Sequence, residues 1–534
     1  MIWNAGAFHD EWASLYPDDT ALIFEPSDEH ITYGELANRI NQSGNAIADL
    51  DVGREEKISF FFPNSLQFIY ASFGAARQEI VPVLINYEHG QKTIDYMVDN
   101  SDSVAILTVS EPTEMLEKAL LAAQNADVST VGIVTDDVES AVANVDVEVS
   151  DDLDLVPFET RMAEASTTLP VANVDPDKTA FIQYTSGTTG KPKGIELSHT
   201  AWCWTSKQVK QCLLVDDNDR MVTAAPMYHG NAWCLAVYPV FMAGASSVIM
   251  EEFDVPRIIR AIDRYEITCL TGVPAMFKMI VNDTETLSEY DVTSLNWGVL
   301  GSASVPEPLM VECQEVFDGI DMVEGYGLME ALVVAFGPRF GVNKLGSTGP
   351  TFPGCEARII DPETGEELPA NEVGECIISN PVVETSNYYK LPEKEDEIKE
   401  TRDGRLFIHT DDLMKKDEDG YLYHLNRLDD MMVVGGKTVY PTEVEDLLQD
   451  HPGIADAAVL SASHKTKGEA PVAFVVTQSD LTENEIQQYT IDNGAAFAHP
   501  RRVYIRESLP LTGARKLDYQ ALDEELEEIL PDDL

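Results

Sequence analysis

The chain has 534 residues and carries 93 acidic against 36 basic side chains, a net charge of −57. That length exceeds a single hydrophobic core, so two or more domains are expected, and the lack of any basic stripe argues against nucleic-acid binding. The first residues, MIWNAGAFHDEWASLYPDD, hold no basic segment leading into an apolar run, and nowhere do about 18 apolar residues run without charge, so neither a signal peptide nor a membrane span is expected. Seven cysteines without C-x-x-C or zinc spacing read as reduced core thiols of a cytoplasmic protein. The acidic excess is dispersed, with peaks at 136–159 and in DEELEEILPDDL, which fits a halophilic surface. At ~1 M salt the Debye length is about 3 Å, and self-repulsion is screened.

In chain order, Leu36, Ile40, Ser43, Ile47 and Leu50 recur every three to four residues, which predicts an amphipathic helix after ITYGE. KISFFF (57–62) reads as a strand stopped by Pro63 and Asn64, 66–76 as a helix, and IVPVLIN (80–86) as another strand. Such alternation predicts a parallel sheet with helices on its faces. Residues 136–160, acidic and poorly patterned, are expected to form an exposed excursion.

The densest chemical signal is FIQYTSGTTGKPKGIELSHT, residues 181–200. Phe181, Ile182 and Tyr184 read as the end of a buried strand. Gly187, Gly190 and Gly194 let successive backbone N–H groups turn inward into an anion nest. Thr185, Ser186, Thr188 and Thr189 add donors, and Lys191 and Lys193 add charge suited to phosphate oxygens. The stretch is built to hold a polyphosphate, yet it is not a Walker loop, which needs G-x-x-x-x-G-K-[ST].

Position for position, YTSGTTGKPKG resembles the phosphate-loop signature of the adenylate-forming superfamily of acyl-CoA synthetases, luciferases and peptide-synthetase adenylation domains. ITYGEL, FFPNS and VPVLIN extend the resemblance along nearly the whole chain. It implies an α/β fold with a large N-terminal domain of parallel-type sheets flanked by helices (1–427), a hinge (428–430) and a small mobile α+β C-terminal domain (431–534). It also implies ATP, Mg²⁺ and CoA as ligands. Thr185, Ser186, Gly187, Thr188, Thr189, Gly190 and Lys193 would hold the β- and γ-phosphates.

Further motifs carry further implied roles. In AAPMYHGNAW (224–233), His229 would gate the passage between acyl pocket and thiol tunnel. Gly301, Ser302 and Ala303, in a small-residue turn ahead of Pro306, would line the adenine pocket. In MVEGYGLMEAL (322–332), Tyr326 would pack on adenine and Glu330 would hold Mg²⁺, while Met329 stands where the family has a threonine that contacts the α-phosphate. In FIHTDD (407–412), Asp412 would accept both ribose hydroxyls, with Asp411 in place of a glycine.

NRLDDMMVVGGKTVYPTEVEDLL (426–448) resembles the hinge and the start of the small domain, with Asn426 in place of a glycine. Arg427 would bind ribose or phosphate, Asp429 would be the hinge, and Gly435 and Gly436 would approach the pantetheine arm. Thr442 and Glu445 stand at capping-box spacing. ESLPLTGARKLDY (507–519) resembles the C-terminal lysine motif, with Lys516 as the catalytic lysine and Arg515 replacing a glycine.

Together these imply a carboxylate–CoA ligase that forms an acyl-adenylate and pyrophosphate, then a thioester and AMP. Positioning and charge neutralisation would carry most of the catalysis. A luciferase-like or carrier-loading protein is less favoured, since no carrier domain follows the lysine motif. Met329, Asp411 and Arg515 keep open a nucleotide-binding relative with weakened or different acyl-acceptor activity. His229, Val273, Ala303 and Gly325 suggest an acid larger than acetate: a fatty, aromatic or carnitine-like acid. Oligomeric state is not legible, and a dimer is left open.

Overall fold

The computed structural model describes residues 3–185, 191–303, 305–339, 341–428, 430–435, 437–495, 497–512 and 515–530, with backbone only at 438. Short apolar runs between turns assemble into four sheets. The first has eight strands in the order Leu332–Phe336, Asp321–Leu328, Trp297–Gly301, Cys269–Gly272, Arg220–Thr223, Ser246–Ile249, Thr20–Phe24, Glu29–Thr32. All neighbours are parallel except the pair at each edge.

The second sheet runs Asn387–Tyr388, Lys193–Ser198, Thr179–Thr185, Val81–Leu84, Lys57–Phe61, Ser103–Val109, Thr130–Val134, Asp154–Pro157. Its last six strands are parallel, and Lys193–Ser198 returns antiparallel to Thr179–Thr185. Central strands such as Val81–Leu84 are buried along their whole length, as a parallel sheet covered on both faces requires.

The expected helix occupies Tyr33–Ala48, started by a capping box between Thr32 and Glu35, and buries Leu36, Ile40, Ser43 and Ile47. Leu50 is buried just beyond its end. The next helix, Leu66–Arg77, is capped by Ser65. The two cross with no room for a β-carbon: one on Gly44 would meet the Gly74 carbonyl at 2.8 Å, and one on Gly74 the Gly44 nitrogen at 2.6 Å. Behind them, Phe73, Phe181, Trp202, Trp233 and Tyr238 interlock with ring centroids 4.9 to 6.4 Å apart. Burying each such ring stabilises the fold by about 1.5–3 kcal/mol.

A third sheet of six strands, including Val373–Ser379, Arg405–Lys416 and Tyr421–Arg427, is antiparallel throughout. The large domain is therefore mixed rather than purely parallel. The small C-terminal domain has a five-stranded sheet in which Gly468–Thr477 is the central strand and Ile454–His464, its hairpin partner, forms one edge. All seven cysteines are free thiols, and no described helix is long and apolar enough to cross a membrane.

Two local expectations are corrected. Residues 136–160 are exposed or half-buried over nearly all their length as expected, but they are not an excursion from the sheet: they hold the helix Val138–Ala143 and the strand Asp154–Pro157, which extends the second sheet. Alternate apolar residues hidden among the acids, Val145, Val147, Val149, Leu153 and Leu155, pack against its hydrophobic cluster. The capping box at Thr442 does not form. The helix Pro441–Gln449 starts after Tyr440 without a side-chain cap, because Thr442 donates to the Leu425 carbonyl and Glu445 turns inward to accept from Val459 N at 2.7 Å and Tyr519 Oη at 2.9 Å.

Candidate active site

A cavity of about 700 Å³ lies at the carboxyl ends of parallel strands of the first sheet, beside the end of Thr179–Thr185 in the second, the usual ligand position in open α/β sheets. Thr185, the last residue of its strand, and Lys193, its antiparallel partner, stand on the wall. Residues 186–190, which include Ser186, Gly187, Thr188, Thr189 and Gly190, lie outside the described set. The two lysines of the loop diverge. Lys193 faces the cavity, whereas Lys191 lies over the Tyr96 ring, 4.4 Å from its centroid.

Gly301, Ser302 and Ala303 form an adjoining stretch of wall. Only glycine fits at 301, because a β-carbon there would sit 2.8 Å from the Gly325 carbonyl on the neighbouring strand. Asn231 Nδ2 donates to Ser302 Oγ at 3.1 Å. On that neighbouring strand, Tyr326 lines the cavity and donates its hydroxyl to Asp412 at 2.5 Å. Asp412 also faces His424 Nε2 at 3.5 Å, and Arg427 stands directly across the antiparallel ladder from it. Glu330 follows in the turn, also on the wall, and accepts from the Tyr388 hydroxyl.

His229 reaches the cavity beside Tyr228, ring centroids 4.8 Å apart. Burial, then the Lys516 and His89 charges, hold its imidazole down at about 4, so it is neutral at pH 7. Lys516 enters the same cavity from the C-terminal domain, and burial lowers its ammonium pKa. Its loop is a closed turn: Thr512 N donates to Lys516 O at 2.7 Å and Arg515 N to Thr512 O at 2.8 Å.

The altered neighbours acquire a physical meaning. Asp411 and Arg515, both where the resemblance expects glycine, have φ of +57° and +59°. That left-handed region is nearly free for glycine and costs other residues roughly 1–2 kcal/mol. Met329 borders the cavity, its sulfur 3.2 Å from where a β-carbon on Gly230 would lie. Of the remaining expected residues, Gly435 is not brought to the cavity: it is exposed in the turn between Met432–Val434 and Lys437–Val439. Asp429 and Gly436 lie outside the described residues.

Sequence reasoning missed Glu324 and Tyr388. Glu324 lines the cavity at 6% exposure, its Oε2 has no partner, and burial pushes its carboxyl up to about 8. Its signal is a lone acid two residues before Tyr326, on the same strand face. Among the described residues no three metal-ligating side chains converge. A divalent cation held here by Glu330 would therefore rely on phosphate and water oxygens for its other ligands, which is how Mg²⁺ is commonly bound.

The cavity thus gathers hydroxyl, aromatic, acidic and basic side chains, among them Thr185, Lys193, Tyr326, Glu330, Asp412 and Lys516, at one place. Comparisons with known proteins show the family. The model of the AMP-binding enzyme family matches residues 9–389, and that of the AMP-binding enzyme C-terminal domain matches 443–516. A long-chain-fatty-acid–CoA ligase of Salmonella typhimurium is 28% identical over 530 residues, covering 96% of this chain and 93% of the relative. A 2-succinylbenzoate–CoA ligase of Bacillus subtilis is 27% identical, covering 95% of each. ATP-bound MatB from Rhodopseudomonas palustris superposes with a TM-score of 0.84 at 25% identity, over 98% of this chain and 99% of that one.

Proposed function

The chain belongs to the AMP-binding enzyme family and is an acid–CoA ligase of its adenylate-forming kind, and we propose that it activates an apolar carboxylic acid larger than acetate. The observation that carries this reading is the meeting of Lys516 with Thr185, Lys193, Glu330, Asp412 and Arg427 around one cavity. In the first half-reaction a carboxylate oxygen attacks the α-phosphorus of ATP, the bond to the β-phosphate oxygen breaks, and pyrophosphate leaves. In the second, the CoA thiol loses its proton and attacks the acyl carbonyl, and AMP leaves.

Each residue has a role in this scheme. Thr185, Lys193 and the loop 186–190 hold the β- and γ-phosphates, and Lys516 neutralises charge between carboxylate and α-phosphate. Gly301, Ser302, Ala303 and Tyr326 bracket the adenine. Glu324 meets its exocyclic amine, a partner for an otherwise unpaired buried carboxyl. Asp412 takes the ribose diol with Arg427 beside it. Glu330, steadied by Tyr388, holds Mg²⁺, which supplies charge neutralisation on the triphosphate when bound. Neutral His229 borders the acyl side.

Cys234, Leu235, Val273, Met276, Val299 and Phe336 form an apolar part of a wall that also holds Asn231, Thr348, Lys394, His409 and Thr410, and that apolar part supports a fatty or aromatic acid over a small or highly charged one. The large domain is taken as 1–427, the hinge as 428–430 with Asp429 as pivot, and the small domain as 431–534. Gly435 and Gly436 approach the pantetheine arm after the small domain turns. The net charge of −57 supports a protein that works at high salt, where repulsion of ATP and CoA is screened. The test is AMP release with CoA across C2 to C16 fatty acids and benzoates in 2 M KCl. Turnover of an apolar acid well above acetate is expected. Acetate as the best substrate, or no AMP release with any acid, overturns the reading.

A further inference from the structure

Arg515 occupies a backbone position that favours glycine, at φ +59°, one residue before Lys516. Its side chain crosses to the large domain and lies over the Phe253 ring, 5.7 Å from the centroid, within the range of a cation–π contact. A second crossing lies nearby. Lys278, on the helix Pro274–Asn282, donates to the Ala455 carbonyl at the start of the strand Ile454–His464. There its charge also acts on the half-buried Asp456 carboxyl. The two large-domain anchors, Phe253 and the helix that bears Lys278, belong to one hydrophobic cluster, in which Phe253 packs with Met276, Phe277 and Ile280. The cluster is thus a fixed seat, and the two cations span it to the small domain.

We propose that Arg515 is a positioning residue: with Lys278 it clasps the small domain onto the Phe253 seat and so keeps Lys516 in the cavity. This rests on the reading of Lys516 as the lysine of acid activation. The strained backbone at 515 is then the cost of the clasp, and glycine there would relax the turn while releasing the lysine. Stability and lysine placement are expected to move in opposite directions, which a merely structural role for Arg515 does not produce.

The test reads Lys516 directly, by its rate of acetylation with sulfo-NHS-acetate in 2 M KCl, followed by mass spectrometry against the exposed Lys465. In the wild type Lys516 should react more slowly than Lys465. Arg515→Gly and Phe253→Leu should each raise its relative rate by about three- to tenfold, the range a cation–π contact supports. Arg515→Lys should recover part of the protection, and the double variant should rise no further than Arg515→Gly alone. Arg515→Gly should melt no lower than the wild type. Lys278→Met should also raise the rate, through a different contact. An unchanged rate in Arg515→Gly and Phe253→Leu, or equal rates for the Lys and Gly variants, overturns the clasp. ATP–pyrophosphate exchange with octanoate and benzoate separates the two claims. Lost protection of Lys516 with no exchange in the wild type keeps the clasp and sinks the acid-activation reading. Exchange without a labelling response does the reverse.

Discussion

The nucleotide wall and the lysine loop face the same cavity but are held in opposite ways. The wall is built on sheet: Gly301 and Gly325 bring two backbones together, and Tyr326 and Asp412 tie one sheet to another. The loop is closed mainly on itself, by the Thr512–Lys516 and Arg515–Thr512 backbone bonds and the Leu511–Leu517 bridge. It reaches the large domain through side chains such as Arg515. A wall fixed by backbone packing suits a ligand that both half-reactions share. A cation on a lightly seated loop suits a group that one half-reaction needs and the other does not.

The sharpest way to break this contrast is Lys516→Ala. It should cut acid-dependent ATP–pyrophosphate exchange by about a hundredfold or more, yet largely spare thioester formation from preformed acyl-adenylate. Equal losses in both assays would mean the loop is as fixed as the wall. Next, Asp412→Asn should raise the KM for ATP by about ten- to a hundredfold, as loss of a charged hydrogen bond implies. It should weaken AMP inhibition of thioester formation alike, because the wall serves both steps. Met329→Thr adds a hydroxyl at the wall's edge and should raise the exchange rate by about three- to tenfold, one hydrogen bond's worth. No gain would show that the phosphate loop already satisfies the α-phosphate.

The smallest effect concerns Glu324, whose carboxyl is pushed up to about 8 by burial. A group that binds its proton more tightly folded than unfolded stabilises the fold at low pH, and this is lost as pH rises from the ordinary carboxylate range through about 8. Glu324→Gln removes that slope. Melting scans at pH 5 and pH 9 should show the variant gaining on the wild type at the higher pH. Parallel curves would mean that the carboxyl is solvated.

Much of this was legible because the signals were local. The helix over Tyr33–Ala48 announced itself by its period. The family showed itself in YTSGTTGKPKG, where the full string is far more specific than its glycines and hydroxyls taken singly. What stayed hidden depended on distant partners. The Thr442–Glu445 spacing reads as a cap in any sequence, but here Val459 and Tyr519 claim the glutamate. The strand Asp154–Pro157 was masked because acids fill the alternate positions of its approach. Glu324 is one acid among 93, and only its burial in the cavity sets it apart. Arg515 and Asp411 read as defects until their positive φ values showed what a side chain costs there.

The hydrogen bond from Tyr326 to Asp412 joins a strand of the first sheet to a strand of the third. Under the proposed roles a nucleoside in this corner would bear on the ring with its base and on the carboxylate with its sugar, and would so act as a gauge of how far apart the two sheets stand. Tyr326→Phe keeps the ring and cuts the tie, letting the two halves of the nucleoside be read separately. Base selectivity should then persist while discrimination against 2′-deoxy-ATP shrinks, and the ratio of the two becomes a measure of sheet spacing in solution.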